Sequence, residues 1–283
     1  MGKILANGVT THYQRMNAKG VDPESAPTVV FVHGLGTDSL ASFYLTLAAP
    51  VSAAGINVIA YDLRGHGRSE CPDTGYTFQH FVDDLCALLD VLELRGPVHL
   101  VGNSFGGTVA FGHAFARPWQ VASIVSIESE PPTQPWADRM VQAMDYMGEQ
   151  LSNEQTFLDL EAQNGAHHAK LARKAAAKLF ATTMMTEVSQ GRLMSAEDLL
   201  ALPTPVLHIL GGDGLQGEDP RALERALSNC RTVVLPGQDH SVLVDAHRKV
   251  RELLIPWVRG LHTDVPWINA ADDARVLAAE PVA

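Results

Sequence analysis

The sequence predicts an α/β protein: a mostly parallel, twisted sheet flanked by helices, with a helical insertion. Three observations carry that prediction. Short apolar runs rich in β-branched residues recur along the 283 residues. Helix-compatible segments separate these runs, and such alternation builds a doubly wound parallel sheet. One long stretch, 131–202, breaks the rhythm with no strand pattern at all.

Taken in order, a polar, amphipathic start around 8–15 suits an antiparallel hairpin at one edge of the sheet. The apolar runs at 28–32, 57–61, 98–101, 124–127, 205–210 and 232–235 follow. They are continuous rather than alternating, as strands covered on both faces are. Helical spacing appears at 40–54, 78–94, 106–116, 220–228 and 241–258. The stretch 131–202 is rich in Ala, Met, Leu, Glu and Gln, all good helix formers. It is too long for a loop and reads as a helical cap over the carboxyl edge of the sheet. The expected organisation is therefore a core of 1–130 and 203–261, a cap of 131–202 and a tail of 262–283. The tail packs as an extra helix or frays.

Composition narrows the partners. Hydrophobic residues at 46% can fill a large core. The net charge of −11 argues against nucleic acid and anionic membranes. No run approaches the roughly 20 apolar residues of a membrane span, and the N-terminal residues show no secretory signal. Cys71, Cys86 and Cys230 are odd in number and widely spaced. They suggest reduced thiols and a cytoplasmic protein.

The chemistry centres on Gly102-Asn103-Ser104-Phe105-Gly106, set between an apolar run and a helical segment. In a strand–turn–helix context, G-x-S-x-G holds the serine on a sharp, strained turn with its hydroxyl outward. Glycines on either side remove side chains that would collide there. The Phe105 amide opens the helix and can face negative charge. His33-Gly34-Leu35-Gly36 follows the first long apolar run. Its turn would supply the Leu35 amide as a second oxyanion donor. The stretch Asp62-Leu63-Arg64-Gly65-His66-Gly67-Arg68-Ser69 reads as a fixed loop braced by Asp62, Arg64 and His66 rather than a reacting one. Pro236-Gly237-Gln238-Asp239-His240-Ser241 places His240 between the last apolar run and the last helix. A histidine there can take and return the serine proton.

On HGLG at 33–36, DLRGHGRS at 62–69, GNSFGG at 102–107 and GQDH at 237–240, the chain resembles the α/β-hydrolase-fold family with a helical cap. The likeness covers nearly all of 8–260. GNSFGG is similar to the wording in meta-cleavage product hydrolases, which cut carbon–carbon bonds, and in many esterases. Dehalogenases and epoxide hydrolases of the fold use an aspartate nucleophile, which Ser104 replaces. The family's acid lies three residues past a Gly that closes the strand before the last. Here that position is Gly214, which has no carboxylate, and Asp213 comes one residue early. Some relatives take the acid from the previous strand's end instead, where Glu128 directly follows 124–127. Glu128 is favoured, Asp213 is the alternative, and Glu130 and Asp219 are more distant candidates.

The resemblance implies a serine hydrolase of a hydrophobic ester, lactone or thioester. Ser104 would be the nucleophile, His240 the base, and the amides of Leu35 and Phe105 the oxyanion hole. Met144, Met147, Phe180 and Met184 of the cap are the expected substrate contacts, methionine being adaptable. That reaction needs no cofactor or metal, and the adjacent His167 and His168 point to different sides of a helix, so they do not converge as metal ligands. The partner is a small hydrophobic acyl substrate, and the protein is expected to be a monomer or homodimer. Rival readings are a carbon–carbon bond hydrolase of ring-cleavage products, a thioesterase or acyltransferase of a biosynthetic pathway, and a non-catalytic receptor on a hydrolase scaffold.

Overall fold

Asn7 and Gly8 have φ of 50° and 74°, the left-handed pair that a tight two-residue hairpin turn demands. They join β1 (Gly2–Ala6) to β2 (Val9–Met16), with Ala6 opposite Val9. The computed structural model describes residues 2–94, 96–213 and 219–260. The predicted tail at 262–283 and the Gly214 position lie outside them. The remaining strands are β3 (Thr28–Val32), β4 (Asn57–Tyr61), β5 (Val98–Asn103), β6 (Val121–Ile127), β7 (Val206–Gly211) and β8 (Cys230–Leu235).

These form one eight-stranded sheet in the order β1-β2-β4-β3-β5-β6-β7-β8. The β1–β2 and β2–β4 pairs are antiparallel and all others parallel. The fold is therefore the predicted α/β class, with the hairpin at one edge. The hairpin's first arm begins at Gly2, before the stretch the sequence pattern marked.

The parallel strands are buried on both faces. Val29, Val30, Phe31 and Val32 of β3 are at most 1% exposed, and one core layer covers each side of the sheet. One layer includes the helices Phe78–Val91 and Phe105–Ala116, the other the helix His247–Val258. The predicted helix at 40–54 is interrupted by a π-helical turn, Tyr44–Ala48. Between β6 and β7 lie the helices Gln134–Ser152, Glu154–Asn164, Ala166–Phe180, Met184–Glu187 and Ala196–Ala201. Backbone bonds anchor this insert to the core. Thr183 N–H donates to Asp73 O at 3.0 Å and Phe78 N–H to Gln190 O at 2.7 Å, while Met194 N–H to Pro132 O at 2.7 Å ties the end of the insert to its start. Among the described residues no helix is long and apolar enough to cross a membrane. Cys71 is exposed, Cys86 buried and Cys230 half-buried, and all three are free.

Several histidines are buried as neutral rings. Burial is the largest cause in each case. It lowers the pKa of His66 to about 3, of His113 to about 4 and of His208 to about 4, and it also lowers that of His33. In the unfolded chain they protonate near pH 6.5. Between that pH and about 4 the unfolded state binds more protons, so stability rises with pH there. Asp84, whose burial raises its pKa, works in the opposite sense and offsets part of the effect. Thermal unfolding is expected at least about 5 °C lower at pH 5 than at pH 7.5. A midpoint that is flat or higher at pH 5 would show that these rings are not held neutral.

Candidate active site

Ser104 sits where β5 ends and the helix Phe105–Ala116 begins, with φ of 51° and ψ of −126°. Such a conformation costs a non-glycine residue about 1–3 kcal/mol and persists only where its surroundings enforce it. Ser104 N–H donates to Ile127 O at 2.8 Å, and Ser104 O accepts Gly107 N–H at 2.9 Å. The glycines on either side are needed for contact. A Cβ on Gly106 would lie 2.0 Å from Val32 O, and one on Gly102 would lie 2.3 Å from Gly107 N. The turn is thus clamped between β3 and β6, and the serine side chain is left partly exposed.

His240 arrives on the loop after β8, and that loop rests on the end of β7. Gly212 N–H donates to Leu235 O at 2.8 Å, and Asp213 N–H to Gln238 O at 2.9 Å. A Cβ on Gly211 would lie 2.3 Å from Gln238 O and 2.6 Å from Asp239 O. Only a glycine at 211 admits the histidine loop this closely. The outcome is a bond between His240 Nε2 and Ser104 Oγ at 3.1 Å, across 136 residues of sequence.

Behind the imidazole stands Glu128. Its Oε2 is 3.3 Å from His240 Nδ1, and its Oε1 accepts the Gly211 N–H. Glu128 follows the last residue of β6, has φ of 49°, and is wholly buried. Its own N–H donates to Ile209 O at 2.9 Å. A buried carboxylate needs donors or cations around it, and an imidazole that gains a proton would supply the charge.

Glu128, rather than Asp213, is the carboxylate on the imidazole. Asp213 is exposed, and among the described residues the His240 ring nitrogens bond Glu128 and Ser104. Glu130 and Asp219 are each paired with an arginine instead, Arg139 and Arg225 respectively.

The loop His33–Gly36 abuts the nucleophile. A Cβ on Gly34 would be 3.4 Å from Ser104 Cβ and 3.5 Å from Asn103 O. Leu35 N–H donates to no acceptor among the described residues. Phe105, first in its helix, has no carbonyl one turn back within that helix. Asp62 behaves as the predicted brace. Its carboxylate accepts Leu40 N–H and Arg68 N–H, each at 2.9 Å, and meets His12 Nδ1 at 2.7 Å. Arg64 forks onto buried Asp84, with Nε to Oδ2 at 2.6 Å.

A cavity of about 860 Å³ opens on Ser104, His240 and Glu128. Its wall is set by the helix Gln134–Ser152, through Trp136, Arg139, Met140, Gln142, Ala143 and Tyr146. Phe105, Thr108, Ser129, Glu130, Asp219 and Ala222 complete it. The four expected substrate contacts are a correction: none lines this cavity. Met144 and Phe180 border a separate cavity of about 340 Å³ among the insert helices. Met184 is 2% exposed, with its Cε close to Gly65. Met147 packs against the core. Met144 lies one residue past Ala143, hence about 100° further round the helix. Apolar character alone could not reveal which side of that helix faces the serine. The usable signal was proximity, since this helix is the first after Glu128.

A model of the alpha/beta hydrolase family matches residues 29–253. The chain is 39% identical over 112 residues to a non-heme chloroperoxidase of Streptomyces lividans, and the match spans 39% of each chain. It is 25% identical over 220 residues to the 2-hydroxy-6-oxo-6-(2'-aminophenyl)hexa-2,4-dienoic acid hydrolase of Metapseudomonas resinovorans, covering 74% of this chain and 73% of that one. Among solved structures, a carboxylesterase of Nitrososphaera gargenis superposes with a TM-score of 0.71 at 22% identity, covering 93% of this chain and all of the other. The enol-lactonase from Burkholderia xenovorans LB400 superposes with a TM-score of 0.70 at 20% identity, covering 91% of this chain and 100% of its own.

Proposed function

We propose that this chain, which belongs to the alpha/beta hydrolase family, is a serine hydrolase that cleaves a neutral, hydrophobic carboxylic ester, lactone or thioester through an acyl-enzyme. The observation that carries the reading is the continuous chain Ser104 Oγ, His240 Nε2, His240 Nδ1, Glu128 Oε2 on the floor of the 860 Å³ cavity. A cavity of that size suits a small organic substrate.

In the proposed reaction Ser104 Oγ attacks the carbonyl carbon and passes its proton to His240 Nε2. Glu128 holds the Nδ1–H and stabilises the imidazolium. The carbonyl oxygen becomes an oxyanion facing the amides of Leu35 and Phe105. Collapse expels the alcohol or thiol, which leaves with the proton from Nε2. Water then gives a proton to Nε2 and attacks the acyl carbon. The second tetrahedral intermediate releases the acid and restores the serine hydroxyl.

Charge around the cavity supports a neutral substrate. Arg139 is the only cationic side chain among the described residues lining it, and its guanidinium is bound to Glu130. Glu128, Glu130 and Asp219 add three carboxylates to the same wall. An acyl group with its own carboxylate would enter against net negative charge. A second reading, carbon–carbon hydrolysis of a dienoate, is favoured by the name of the Metapseudomonas resinovorans relative. A panel of neutral nitrophenyl esters, an equally long ester ending in a carboxylate, coenzyme A thioesters and a ring-fission dienoate separates the readings. The neutral ester is expected to exceed the carboxylate-bearing one by at least about tenfold in kcat/KM, with Glu130→Gln narrowing the gap. A dienoate turned over tenfold better than every ester would move the function to carbon–carbon cleavage.

A further inference from the structure

Two buried imidazoles beside the nucleophile, His33 and His66, take no part in the chemistry above. They sit on different loops, and each serves the other's loop. His33 follows β3. It accepts the Leu63 N–H on Nε2 at 3.0 Å and donates from Nδ1 to Gly34 O at 2.7 Å. His66 lies in the loop after β4. It accepts the Gly36 N–H on Nε2 at 3.1 Å and donates from Nδ1 to Arg64 O at 2.8 Å. The rings meet edge-on with centroids 5.3 Å apart. His33 is 0% and His66 3% exposed.

These partners fix the protonation of both rings. A nitrogen that accepts an amide proton carries none, and one that bonds a carbonyl must carry its own. Burial keeps both imidazoles neutral, so each acceptor persists through the working pH range.

The effect on residues 34–36 can be read amide by amide. Gly34 N–H is taken by Asp38 Oδ2 at 2.8 Å. Gly36 N–H is taken by His66. Leu35 N–H, between them, has no acceptor among the described residues. With both neighbours tied, the peptide plane carrying the Leu35 N–H is held from each end beside Ser104. An oxyanion donor contributes most when its direction is set before the charge develops.

We propose that His66 is a positioning residue of the oxyanion hole: by accepting the Gly36 N–H it aims the Leu35 amide at the substrate oxygen, and His33 holds the loop of His66 in return. The proposal rests on the reading of Leu35 and Phe105 as oxyanion donors. His66 touches no reacting atom.

The test compares His66→Leu with His66→Gln, whose side-chain carbonyl keeps an acceptor. On the best neutral ester, His66→Leu is expected to lower kcat by about 30- to 300-fold, since losing one donor outright costs about 10²–10³. KM should stay within about threefold. Affinity for a boronic acid that forms a tetrahedral adduct should fall by the same factor as kcat. His66→Gln should recover to within about tenfold of the native kcat. A folded His66→Leu protein with native kcat overturns the proposal, as does a Gln variant no better than Leu at equal melting temperature. If neither variant folds, nitrogen NMR of the native protein decides. The proposal requires the His66 proton on Nδ1, with Nε2 bare, and the opposite tautomer contradicts it. A native protein with no Ser104-dependent esterase activity would instead sink the functional reading, leaving the NMR result to judge the clasp by itself.

Discussion

Ser104→Ala is expected to lower kcat on a neutral nitrophenyl ester by about 10⁵- to 10⁶-fold, with the fold intact. The size follows from the role. Without Oγ no acyl-enzyme forms, and what remains is the oxyanion hole acting on water. Effects within such a triad are not additive, so adding His240→Ala to Ser104→Ala should cost little more. The fold should survive because the elbow is enforced by backbone. Ser104 N–H remains bonded to Ile127 O, and Gly102 and Gly106 keep their close approaches. The side chain removed is only partly buried, so the melting temperature should move by no more than about 3 °C. Loss of activity together with loss of the folded state would leave the serine's role unsupported. Retained activity in a folded variant would refute it.

The second large effect falls on Glu128. Glu128→Gln is expected to lower kcat by about 10³- to 10⁴-fold, and Asp213→Asn to leave it within about tenfold. The glutamine fits the same site and can still accept the Gly211 N–H that Glu128 Oε1 accepts now. It cannot carry the negative charge that stabilises His240 once the imidazole takes the serine proton. Its amide can also present an N–H to Nδ1, which would favour the wrong tautomer. Removing a fully buried charge should not unfold the protein. Asp213 is exposed, and the His240 imidazole bonds Ser104 and Glu128 instead, so the Asp213 charge is screened and its loss is felt weakly. The reverse pattern would transfer the acid role to Asp213.

The contrast between these two carboxylates shows how far the sequence could be read. The elbow and the histidine were legible because each is a local device. Glycines at 102 and 106 announce a close approach, and a histidine after the last strand has few other duties. The acid was not, because chain order offers a carboxylate at the end of β6 and another at the end of β7. What separates them is direction. The positive φ of Glu128 and the amide of Gly211 turn one side chain toward His240. Neither can be read from residue spacing.

The strands were legible from continuous apolar runs such as 28–32, since burial on both faces leaves no place for polar alternation. The first arm of the hairpin was harder. Gly2–Ala6 is short and half-exposed, and only the Asn7-Gly8 turn marks it. The insert shows the plainest limit. Helix-forming composition identifies helices but not the face each presents to the core. Met144 therefore looked like a substrate contact, yet the helix turns Trp136, Arg139 and Tyr146 toward Ser104 instead. The cavity's charge pattern, which sets the predicted substrate preference, was hidden for the same reason.

The central claim is that Ser104, activated by His240, becomes covalently acylated during turnover. Rapid acid quenching with a slowly hydrolysed nitrophenyl ester, followed by intact-mass and peptide mass spectrometry, tests it most directly. One acyl group per chain is expected, carried on the peptide containing Ser104 and absent from His240→Ala quenched at the same time. An acyl group on another residue, or steady turnover with no adduct on Ser104 even when deacylation is slowed, would contradict it.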